Sequence, residues 1–368
     1  IIGAGIAGLP ASMLAAEQGA NVHVVEKAGT YGTARLCTSG FNAKLHQEHD
    51  IHYDREQFIR DAWTITNGVQ GRMSSYGKWF DNSGPYVDWL QGIFQSKGYD
   101  LVAQQVNGFK VTNDGIGQAG YEDGKTLDEG VNPDWTGVMA AYAEEKGATF
   151  HYNTPAVQLV REEGEGGRVT SVICENEVGE YIKFNAAKGI LLTTGDFANN
   201  REMMGYYNRS LLKGSTAIAE TKNTGDGHKM GLWVGADIDD FACGDCFPFV
   251  GVTLDNKRPE GEGSKSYASV ASLPVLMVDK TGRRIAAENL PFQGFSIPKI
   301  TATPDGAAYS IWDSAWTEKF PEDYPRGDYL SLNTPEQVEI DIANGVTYKA
   351  DTLEELAQIA GFDKDIFL

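Results

Sequence analysis

Three glycines near the start of the chain have the spacing of a phosphate-binding turn. Gly3, Gly5 and Gly8 follow two apolar residues and open an apolar segment that predicts a helix from about Ile6 to Gln18. In a dinucleotide-binding turn the first glycine permits the sharp reversal, the second lets the backbone approach a pyrophosphate, and the third lets the helix lie close to the sheet. The pattern therefore predicts a dinucleotide at the helix N-terminus.

An acidic residue follows these glycines at the distance expected for a ribose ligand. The segment from Asn21 to Val25 predicts a second strand that ends at Glu26, about 20 residues after the turn. A carboxylate at that place accepts hydrogen bonds from ribose hydroxyls and repels a 2′-phosphate. The glycines and Glu26 do not by themselves distinguish NAD from FAD.

Composition excludes several kinds of partner. The 368 residues include 51 acidic and 31 basic side chains, which gives a formal charge of −20. Without a lysine or arginine cluster, such a chain is unsuited to a nucleic-acid backbone or an anionic membrane surface. No segment has the roughly 20 apolar residues that a membrane span requires. At about 150 residues per domain the length predicts two or three domains, and a hydrophobic content of 41% is enough for a buried core.

Two clusters have the residue types of metal ligands but do not predict a metal site. Cys243 and Cys246 have the spacing of half a zinc site, but such a site needs about four ligands, and we interpret them as ordinary buried thiols. His46, His49 and His52 recur at three-residue spacing in a polar segment, which we interpret as a solvated turn.

A segment rich in small residues follows the predicted second strand. It contains Tyr31-Gly32-Thr33-Ala34-Arg35 and then Ser39-Gly40-Phe41-Asn42-Ala43. This segment resembles the flavin-contacting loop of the fumarate reductase/succinate dehydrogenase flavoprotein family. Small side chains suit that loop, because its backbone runs along the ribityl chain and the edge of the isoalloxazine.

Other segments resemble the same family in the same order along the chain. They are Asn153-Thr154-Pro155-Ala156-Val157 at the adenine strand, Leu191-Leu192-Thr193-Thr194-Gly195-Asp196-Phe197 at a strand-to-turn segment, Thr224-Gly225-Asp226-Gly227 at the TGDG motif, Met277-Val278-Asp279-Lys280-Thr281-Gly282-Arg283-Arg284 at a hairpin of the capping domain, and Ala350-Asp351-Thr352-Leu353-Glu354-Glu355-Leu356 at a helix start. The combination covers essentially the whole chain and implies that the cofactor is FAD.

The resemblance implies a set of FAD-binding residues drawn from these segments. They are Gly3, Gly5, Ala7, Gly8, Glu26, Lys27, Gly32, Thr33, Ala34, Arg35, Ser39, Gly40, Phe41, Asn42, Ala156, Val157, Thr194, Gly195 and Asp226. No metal ligand is implied.

The resemblance also implies an α/β fold with two domains. Residues 1–238 would form a Rossmann-like FAD-binding domain that carries a largely helical excursion at about 54–94. Residues 239–368 would form a smaller α+β capping domain, incomplete at its C-terminus, that closes over the reactive face of the flavin. The family normally continues for about another hundred residues, which is a domain's worth. We also expect residues upstream of Ile1, because the chain begins inside a predicted strand.

Positions that hold a dicarboxylate in the fumarate reductases of this family carry other residues here. The family's histidine, its Thr-Glu pair and two of its arginines fall on Phe247-Pro248, Tyr267-Ala268, Ala271 and Phe292. A buried dicarboxylate requires cationic or N–H donors, and leaving it unpaired costs several kcal/mol. Together with Phe249, the aromatic residues Phe247, Tyr267 and Phe292 predict an apolar pocket for a flat organic molecule such as a steroid or a phenolic acid.

The resemblance leaves the proton donor open. The family's arginine falls on Phe292, and the candidate acids are Tyr267, Tyr309 and Glu288. We favour Tyr267, because a phenol with an unperturbed pKa of about 10 is protonated at neutral pH and can donate. We interpret Glu288 as structural. A donor beyond Leu368 is the alternative.

Together these features predict an FAD-dependent oxidoreductase. The reaction would reduce an activated carbon–carbon double bond of an apolar or aromatic small molecule by hydride transfer from flavin N5. An external electron donor is required, because the sequence has no heme-attachment motif. The first alternative is the reverse reaction on a ketone, as in 3-ketosteroid dehydrogenases. The second is an electron-transfer flavoprotein subunit without an organic substrate of its own.

Overall fold

The structure of the chain is a computed structural model. It describes residues 1–32, 38–48, 50–65, 73–104, 117–122, 135–161, 166–207, 209, 212, 222–238, 254, 275–285, 300, 302–319 and 335–368. Within these ranges the helices are α1 (Gly8–Glu17), α2 (Lys44–Glu48), α3 (Arg55–Ile65), α4 (Met73–Ser96), α5 (Trp135–Glu145), α6 (Arg201–Tyr207), α7 (Asp226–Trp233), α8 (Trp316–Lys319), α9 (Pro335–Ala343), α10 (Leu353–Ala360) and α11 (Lys364–Phe367). The strands are β1 (His23–Val25), β2 (Thr38–Gly40), β3 (Asp100–Gln104), β4 (Gly117–Glu122), β5 (Thr149–His151), β6 (Ala156–Arg161), β7 (Val169–Glu175), β8 (Tyr181–Asn185), β9 (Leu276–Val278) and β10 (Tyr309–Ile311). None of the helices in these ranges is long and apolar enough to cross a membrane.

A parallel sheet forms the centre of the N-terminal region. Strands β1 and β5 pair in parallel, with His23 opposite Thr149. Ile2 extends this sheet, since it bridges Val25 on one side and Leu192 on the other, again in parallel. The order across the sheet is therefore β5, β1, Ile2 and Leu192, and the carboxyl ends of all four segments lie at one edge.

Helix α1 packs against this region because its apolar residues recur on one side. Leu9, Met13 and Ala16 are spaced four and three residues apart, and all three are buried. They share a hydrophobic cluster with Met139 of α5, the helix against which α1 packs. The observed helix lies within the predicted bounds, residues 6–18, and is shorter at both ends.

A three-stranded antiparallel sheet packs against the parallel one. Its strands follow the order β6, β7 and β8. Leu159, Val172 and Cys174 of this sheet are buried together with Ile2 and Val25 of the parallel sheet. Burial raises the pKa of the Cys174 thiol to about 11, so this cysteine is a packed apolar group and not a reactive thiolate.

Helices α3 and α4 occupy the part of the chain, about 54–94, for which the resemblance implies a helical excursion. Helix α4 buries Leu90 and Phe94, which lie four residues apart on one face. In its first half, Phe80 stacks on Phe41 with the ring centroids 4.8 Å apart. Phe58 of α3 completes this aromatic cluster. The excursion therefore has its own core, and that core includes a residue of the flavin-loop-like segment.

The short strand β2 lies directly on helix α4. It pairs with β4, which pairs with β3, in a three-stranded antiparallel sheet. A Cβ added to Gly40 would lie 2.7 Å from Cγ2 of Val87, and one added to Gly84 would lie 2.2 Å from the carbonyl oxygen of Phe41. The two backbones approach more closely than a side chain allows, so both contacts require glycine.

The described residues after position 275 form a smaller mixed unit. Strands β9 and β10 pair antiparallel. Val278 of β9 is buried with Ala357 of α10 and with Phe362, which follows that helix. Helix α10 begins where the sequence predicts a helix start, because the Thr352 side chain accepts a hydrogen bond from the Glu355 backbone N–H at 3.2 Å.

The prediction of a solvated turn is wrong for His46, whereas the His52 side chain is 68% exposed and His49 lies outside the described residues. His46 lies in α2 and is only 1% exposed. Its Nδ1 accepts a hydrogen bond from the backbone N–H of Ala43 at 3.1 Å, and the ring of Tyr53 packs edge-on against it. A histidine buries its ring readily when a backbone N–H satisfies one nitrogen, and a polar segment gives no sign of this. Among the described residues, no group of three or more His, Cys, Asp or Glu could hold a metal ion.

Substitutions at two glycines of α4 distinguish the contribution of the close contact at Phe41 to stability from that of helix propensity. Gly84→Ala places a Cβ 2.2 Å from the Phe41 carbonyl oxygen, whereas Gly92→Ala places one where no atom lies within 4 Å. We expect Gly84→Ala to lower the free energy of unfolding by about 1–3 kcal/mol, and Gly92→Ala to raise it by up to about 1 kcal/mol. Urea unfolding of both variants measures the difference. Equal stability of the two would contradict the close contact.

Candidate cofactor-binding site

Three loops meet at the edge where the parallel segments end. The N–H of Gly3 donates to the carbonyl of Val25 at 2.8 Å, and the N–H of Thr193 donates to the carbonyl of Ile2 at 2.9 Å. Because of these hydrogen bonds, neighbouring loops begin next to each other. We call the surface formed by residues 3–8, 26–28 and 193–195 the nucleotide edge.

Steric contacts explain two of the three glycines in the first loop. Gly3 has a φ of 103°, and a Cβ there would lie 2.4 Å from the carbonyl oxygen of Thr193. A Cβ on Gly8 would lie 1.9 Å from the Gly3 carbonyl oxygen, because α1 starts directly over the turn. Gly3 therefore lies at a sharp turn and Gly8 allows close packing of the helix, as the sequence predicts.

Gly5 differs, because no protein atom requires its lack of a side chain. A Cβ on Gly5 would meet no heavy atom within 4 Å. The N-cap residue of α1 is Ala7, which makes no side-chain capping bond to the first N–H groups of the helix. Open space beside Gly5 and uncapped N–H groups at the positive end of the helix dipole fit the pyrophosphate of a dinucleotide.

Glu26 is held at the edge by backbone N–H groups. Its Oε2 accepts a hydrogen bond from Ala4 and its Oε1 accepts one from Ala28, both at 2.8 Å. The carboxylate is half-buried, and each oxygen retains a second lone pair that a ribose hydroxyl can use. The same group therefore orients the glycine turn and is able to bind a ribose.

The segment that resembles the flavin-contacting loop begins on the nucleotide edge. The N–H of Gly32 donates to the carbonyl of Ala4 at 2.9 Å, so the chain crosses directly beside the glycine turn. A Cβ on Gly32 would lie 3.3 Å from Cα of Gly5. The next residues with a predicted FAD contact lie outside the described residues: Thr33, Ala34 and Arg35.

The same segment is anchored further along by its side chains. Ser39 and Gly40 lie in β2, directly before Phe41, whose ring is 2% exposed within the aromatic cluster of α3 and α4. Asn42 has a φ of 53°, and its side-chain amide bonds with the N–H and the carbonyl of Tyr53 at 2.9 and 3.0 Å. The side chains of Phe41 and Asn42 face the protein, so their contribution to an FAD site comes from the backbone.

A bulge occurs in the strand that resembles the family's adenine strand. Ala156 pairs with Cys174 and Gln158 pairs with Ile173, so Val157 has no partner of its own across β7. A bulged residue leaves its backbone groups outside the ladder. An adenine edge presents a donor beside an acceptor, and the backbone at Val157 has the complementary groups.

A threonine that the sequence analysis did not single out ties the third loop to the first. The hydroxyl of Thr193 lies 2.9 Å from the carbonyl oxygen of Gly3. The following residue packs on α7, since a Cβ on Gly227 would lie 2.1 Å from Oγ1 of Thr194. Thr194 and Gly195 therefore lie between the glycine turn and the start of α7.

Lys27 and Asp226 form an ion pair with each other. The Nζ of Lys27 lies 2.9 Å from Oδ2 of Asp226, and it also donates to the Thr224 hydroxyl and to the Lys222 carbonyl. Burial raises the pKa of the Asp226 carboxyl, but hydrogen bonds from Lys27, Thr224 and Lys229 outweigh burial and bring the pKa down to about 2. The resemblance implies direct contact of Lys27 with FAD, whereas in the structure its three N–H donors already have protein acceptors.

His228 follows the TGDG motif and carries a buried ring nitrogen. Its Nδ1 has no hydrogen-bond partner in the part of the chain that the structure describes. The ring packs edge-on against Phe197 with the centroids 5.2 Å apart. A buried nitrogen without a partner is unfavourable.

Most of the predicted substrate-side residues lie outside the described residues. These are Phe247, Phe249, Tyr267, Glu288 and Phe292. The remaining candidate acid, Tyr309, lies in β10, and its ring packs edge-on against Phe362 at 5.1 Å. Burial, followed by the negative charge of Asp305, raises the pKa of Tyr309, so its phenol is protonated at neutral pH. Its packing favours a structural role.

The fold agrees with comparisons to known proteins. A family model described as FAD binding domain matches residues 1–323. A probable fumarate reductase of Shewanella frigidimarina is 28% identical over 98% of this chain and 55% of its own length. The vinyl phenol reductase of Lactiplantibacillus plantarum is 23% identical over 97% of this chain and 71% of its own length.

A solved structure has the same α/β fold, as the sequence predicts. The 3-ketosteroid-Δ4-(5α)-dehydrogenase of Rhodococcus jostii RHA1 superposes with a TM-score of 0.66 over 100% of this chain and 74% of that one, at 20% identity. The chain spans about half, 55%, of the length of the fumarate reductase relative. Because the family match extends from the glycine turn through β10, the chain belongs to the FAD binding domain family, and its cofactor is FAD.

Proposed function

We propose that this chain is the flavin-bearing and substrate-covering part of an oxidoreductase that reduces an activated carbon–carbon double bond of an apolar or aromatic molecule. Two relatives are named as reductases, one of fumarate and one of vinyl phenol. Both of those compounds contain a carbon–carbon double bond. The chain has the same family's cofactor edge, which supports the same class of reaction.

The chain's own residues bind and orient the reactants. Bound FAD supplies a hydride at its N5 atom. The space beside Gly5 and the start of α1 hold the pyrophosphate, and Glu26 holds a ribose. Helix α4 fixes the backbone of the flavin-contacting segment through Gly84. Residues 239–368 cover the reactive face and exclude water from it.

The observation that carries the substrate class is the loss of the family's carboxylate-binding residues. By the family resemblance, Phe247, Tyr267 and Phe292 fall where a fumarate reductase has polar or cationic groups. A dicarboxylate in such a pocket would lack donors, at a cost of several kcal/mol, whereas a flat ring gains contact area and aromatic stacking. The name of the vinyl phenol reductase supports an aromatic substrate.

Proton delivery completes the proposed reaction. After a hydride adds to the carbon β to a carbonyl, the α carbon requires a proton. The hydroxyl of Tyr267 gives this proton and recovers one from water, so that one hydride and one proton are added across the double bond. The two electrons of each turnover would come from a donor outside the chain.

The first prediction concerns the acceptor. The protein is reduced anaerobically with dithionite and mixed with fumarate, with a vinyl phenol or with an α,β-unsaturated ketone, and the flavin absorbance is followed. We expect rapid reoxidation by an aromatic or apolar acceptor, because the pocket lacks donors for two carboxylates. With fumarate we expect a kcat/KM well below about 10⁴ M⁻¹s⁻¹. A value at or above that level would refute the proposed substrate class.

The alternative functions give different outcomes in the same experiment. Bleaching of the oxidised flavin by a saturated ketone, without reoxidation of the reduced flavin by any alkene, would indicate a ketone dehydrogenase. Electron exchange with a redox protein but with no organic acceptor would indicate an electron-transfer subunit. Either result would replace the proposed reaction.

The second prediction concerns the cofactor. Gly5→Val should leave the fold intact, because a Cβ at Gly5 meets no protein atom within 4 Å, but it should exclude FAD from the space beside the turn. We expect the purified variant to contain little flavin and to keep the circular dichroism of the wild type. Gly92→Ala is the control, since its Cβ also meets no atom within 4 Å and it lies in α4. Full flavin content in Gly5→Val would show that the pyrophosphate lies elsewhere.

The third prediction concerns the acid. Tyr267→Phe should slow single-turnover flavin reoxidation by about 10²-fold or more, with unchanged FAD content, because the ring is kept and the proton is lost. Tyr181→Phe is the control, since Tyr181 is 70% exposed in β8. An unchanged rate in Tyr267→Phe would contradict the acid role. Slowing in Tyr309→Phe instead would assign the proton to Tyr309.

A further inference from the structure

Lys27 connects two parts of the cofactor site that are far apart in the sequence. It follows Glu26 at the end of β1, and its Nζ donates to the Lys222 carbonyl, the Thr224 hydroxyl and Oδ2 of Asp226. The last two distances are both 2.9 Å. An ammonium group has three N–H donors, so every donor has a protein acceptor. We call Lys27, Lys222, Thr224 and Asp226 the Lys27 latch.

The acceptor side of the latch is itself ordered. The Thr224 hydroxyl donates to Oδ2 of Asp226 at 2.8 Å, and Nζ of Lys229 lies 3.0 Å from Oδ1. Both carboxylate oxygens therefore have partners. The side chains of Lys27 and Asp226 are 30% and 33% exposed. Salt screens such a partly buried pair less than it screens a pair on the open surface.

The latched segment forms one wall of the nucleotide edge. The N–H of Gly225 donates to the carbonyl of Asp196 at 3.2 Å. A Cβ on Gly227 would lie 2.1 Å from Oγ1 of Thr194, so the start of α7 is in close contact with the third loop. A shift of residues 222–227 would therefore displace Thr194.

We propose that Lys27 is a positioning residue that shapes the adenosine-binding part of the FAD site without contacting FAD. Its latch holds residues 222–227 beside the end of β1, next to the ribose-binding carboxylate of Glu26. The third loop is then confined between the glycine turn and α7. The binding site is therefore pre-organised, so that FAD binding requires little free energy for ordering the protein.

The same contacts argue against Lys27 as a direct counter-charge for the pyrophosphate. Its donors are occupied by protein oxygens, one of which belongs to the carboxylate of Asp226. The start of α1, in contrast, has no side-chain cap and lies beside the open space at Gly5. The start of α1 is therefore the better binding site for the pyrophosphate anion.

Substitution of the lysine tests the positioning role. Lys27→Met removes the ammonium group and keeps the length of the side chain. We expect the Kd of FAD, measured by fluorescence titration of the flavin-free protein, to rise about tenfold, which corresponds to about 1.4 kcal/mol. Lys97→Met is the matched control, because Lys97 pairs with Glu145 of α5 at 2.5 Å and its side chain is 35% exposed. The control variant should bind FAD as the wild type does.

Salt dependence separates positioning from direct contact. A lysine that touches a phosphate loses affinity as ionic strength rises. If Lys27 is a positioning residue, the Kd of FAD rises with salt by the same factor in the wild type and in Lys27→Met. A weaker salt dependence in the variant would overturn the proposal in favour of direct contact. An unchanged Kd at every salt concentration would also overturn it.

A second variant covers the case in which Lys27→Met does not fold. Thr224→Val removes the hydroxyl that accepts from Lys27 and donates to Asp226, and it keeps the shape of the side chain. We expect the Kd of FAD to rise about two- to threefold, which corresponds to less than about 0.7 kcal/mol. A lower Tm of the flavin-free protein with an unchanged Kd would mark the latch as structural and would contradict the positioning role.

This inference rests on FAD binding and not on the proposed reaction. Every measurement uses FAD alone, without a substrate or an electron donor. A negative turnover experiment would not contradict the positioning role of Lys27, and a negative binding experiment would not contradict the proposed reaction.

Discussion

Hydrogen bonds on both sides of Ile2 are the constraint on which the rest of the structure depends. Its N–H donates to Leu191, its carbonyl accepts from Thr193, and the neighbouring Gly3 N–H donates to Val25. One short segment thus joins parts of the chain that are distant in sequence. Because the segments run parallel, the loops that follow them emerge at the same edge. The glycine turn, the Glu26 carboxylate and the third loop become neighbours for this reason.

Crowding at that edge distinguishes residues that the fold requires from residues that are free to contact a cofactor. Gly3 and Gly8 leave no room for a Cβ, whereas Gly5 borders open space. Glu26 belongs to both groups, since it accepts from Ala4 and Ala28 and still has lone pairs for a ribose. The site is therefore built from contacts that the protein needs in order to fold. Bound FAD stabilises the same contacts by linkage, because it binds the folded state.

The sequence predicted features that depend on neighbouring residues and missed those that depend on distant ones. The glycine turn and the Thr352 helix start follow local rules of backbone geometry, and both are present. The burial of His46 is decided by tertiary packing, and a polar segment gave no sign of it. The family resemblance implied that Lys27 contacts FAD, but its ammonium group has its partners on residues 222–226. An ion pair between residues so far apart in the sequence, such as Lys27 and Asp226, leaves no local pattern in the sequence.

The packing of α3 and α4 suits the segment that resembles the family's flavin-contacting loop. Such a loop needs small residues and exposed backbone, and it therefore has little side-chain packing of its own. Here Phe41 packs into the aromatic cluster of α3 and α4. The side-chain amide of Asn42 donates to the carbonyl of Tyr53 and accepts from its N–H. Gly84 lets the backbone of α4 come close enough to fix the carbonyl of Phe41. The excursion thus supplies the rigidity that the loop lacks, and the position of the loop depends on α3 and α4 as well as on the parallel sheet.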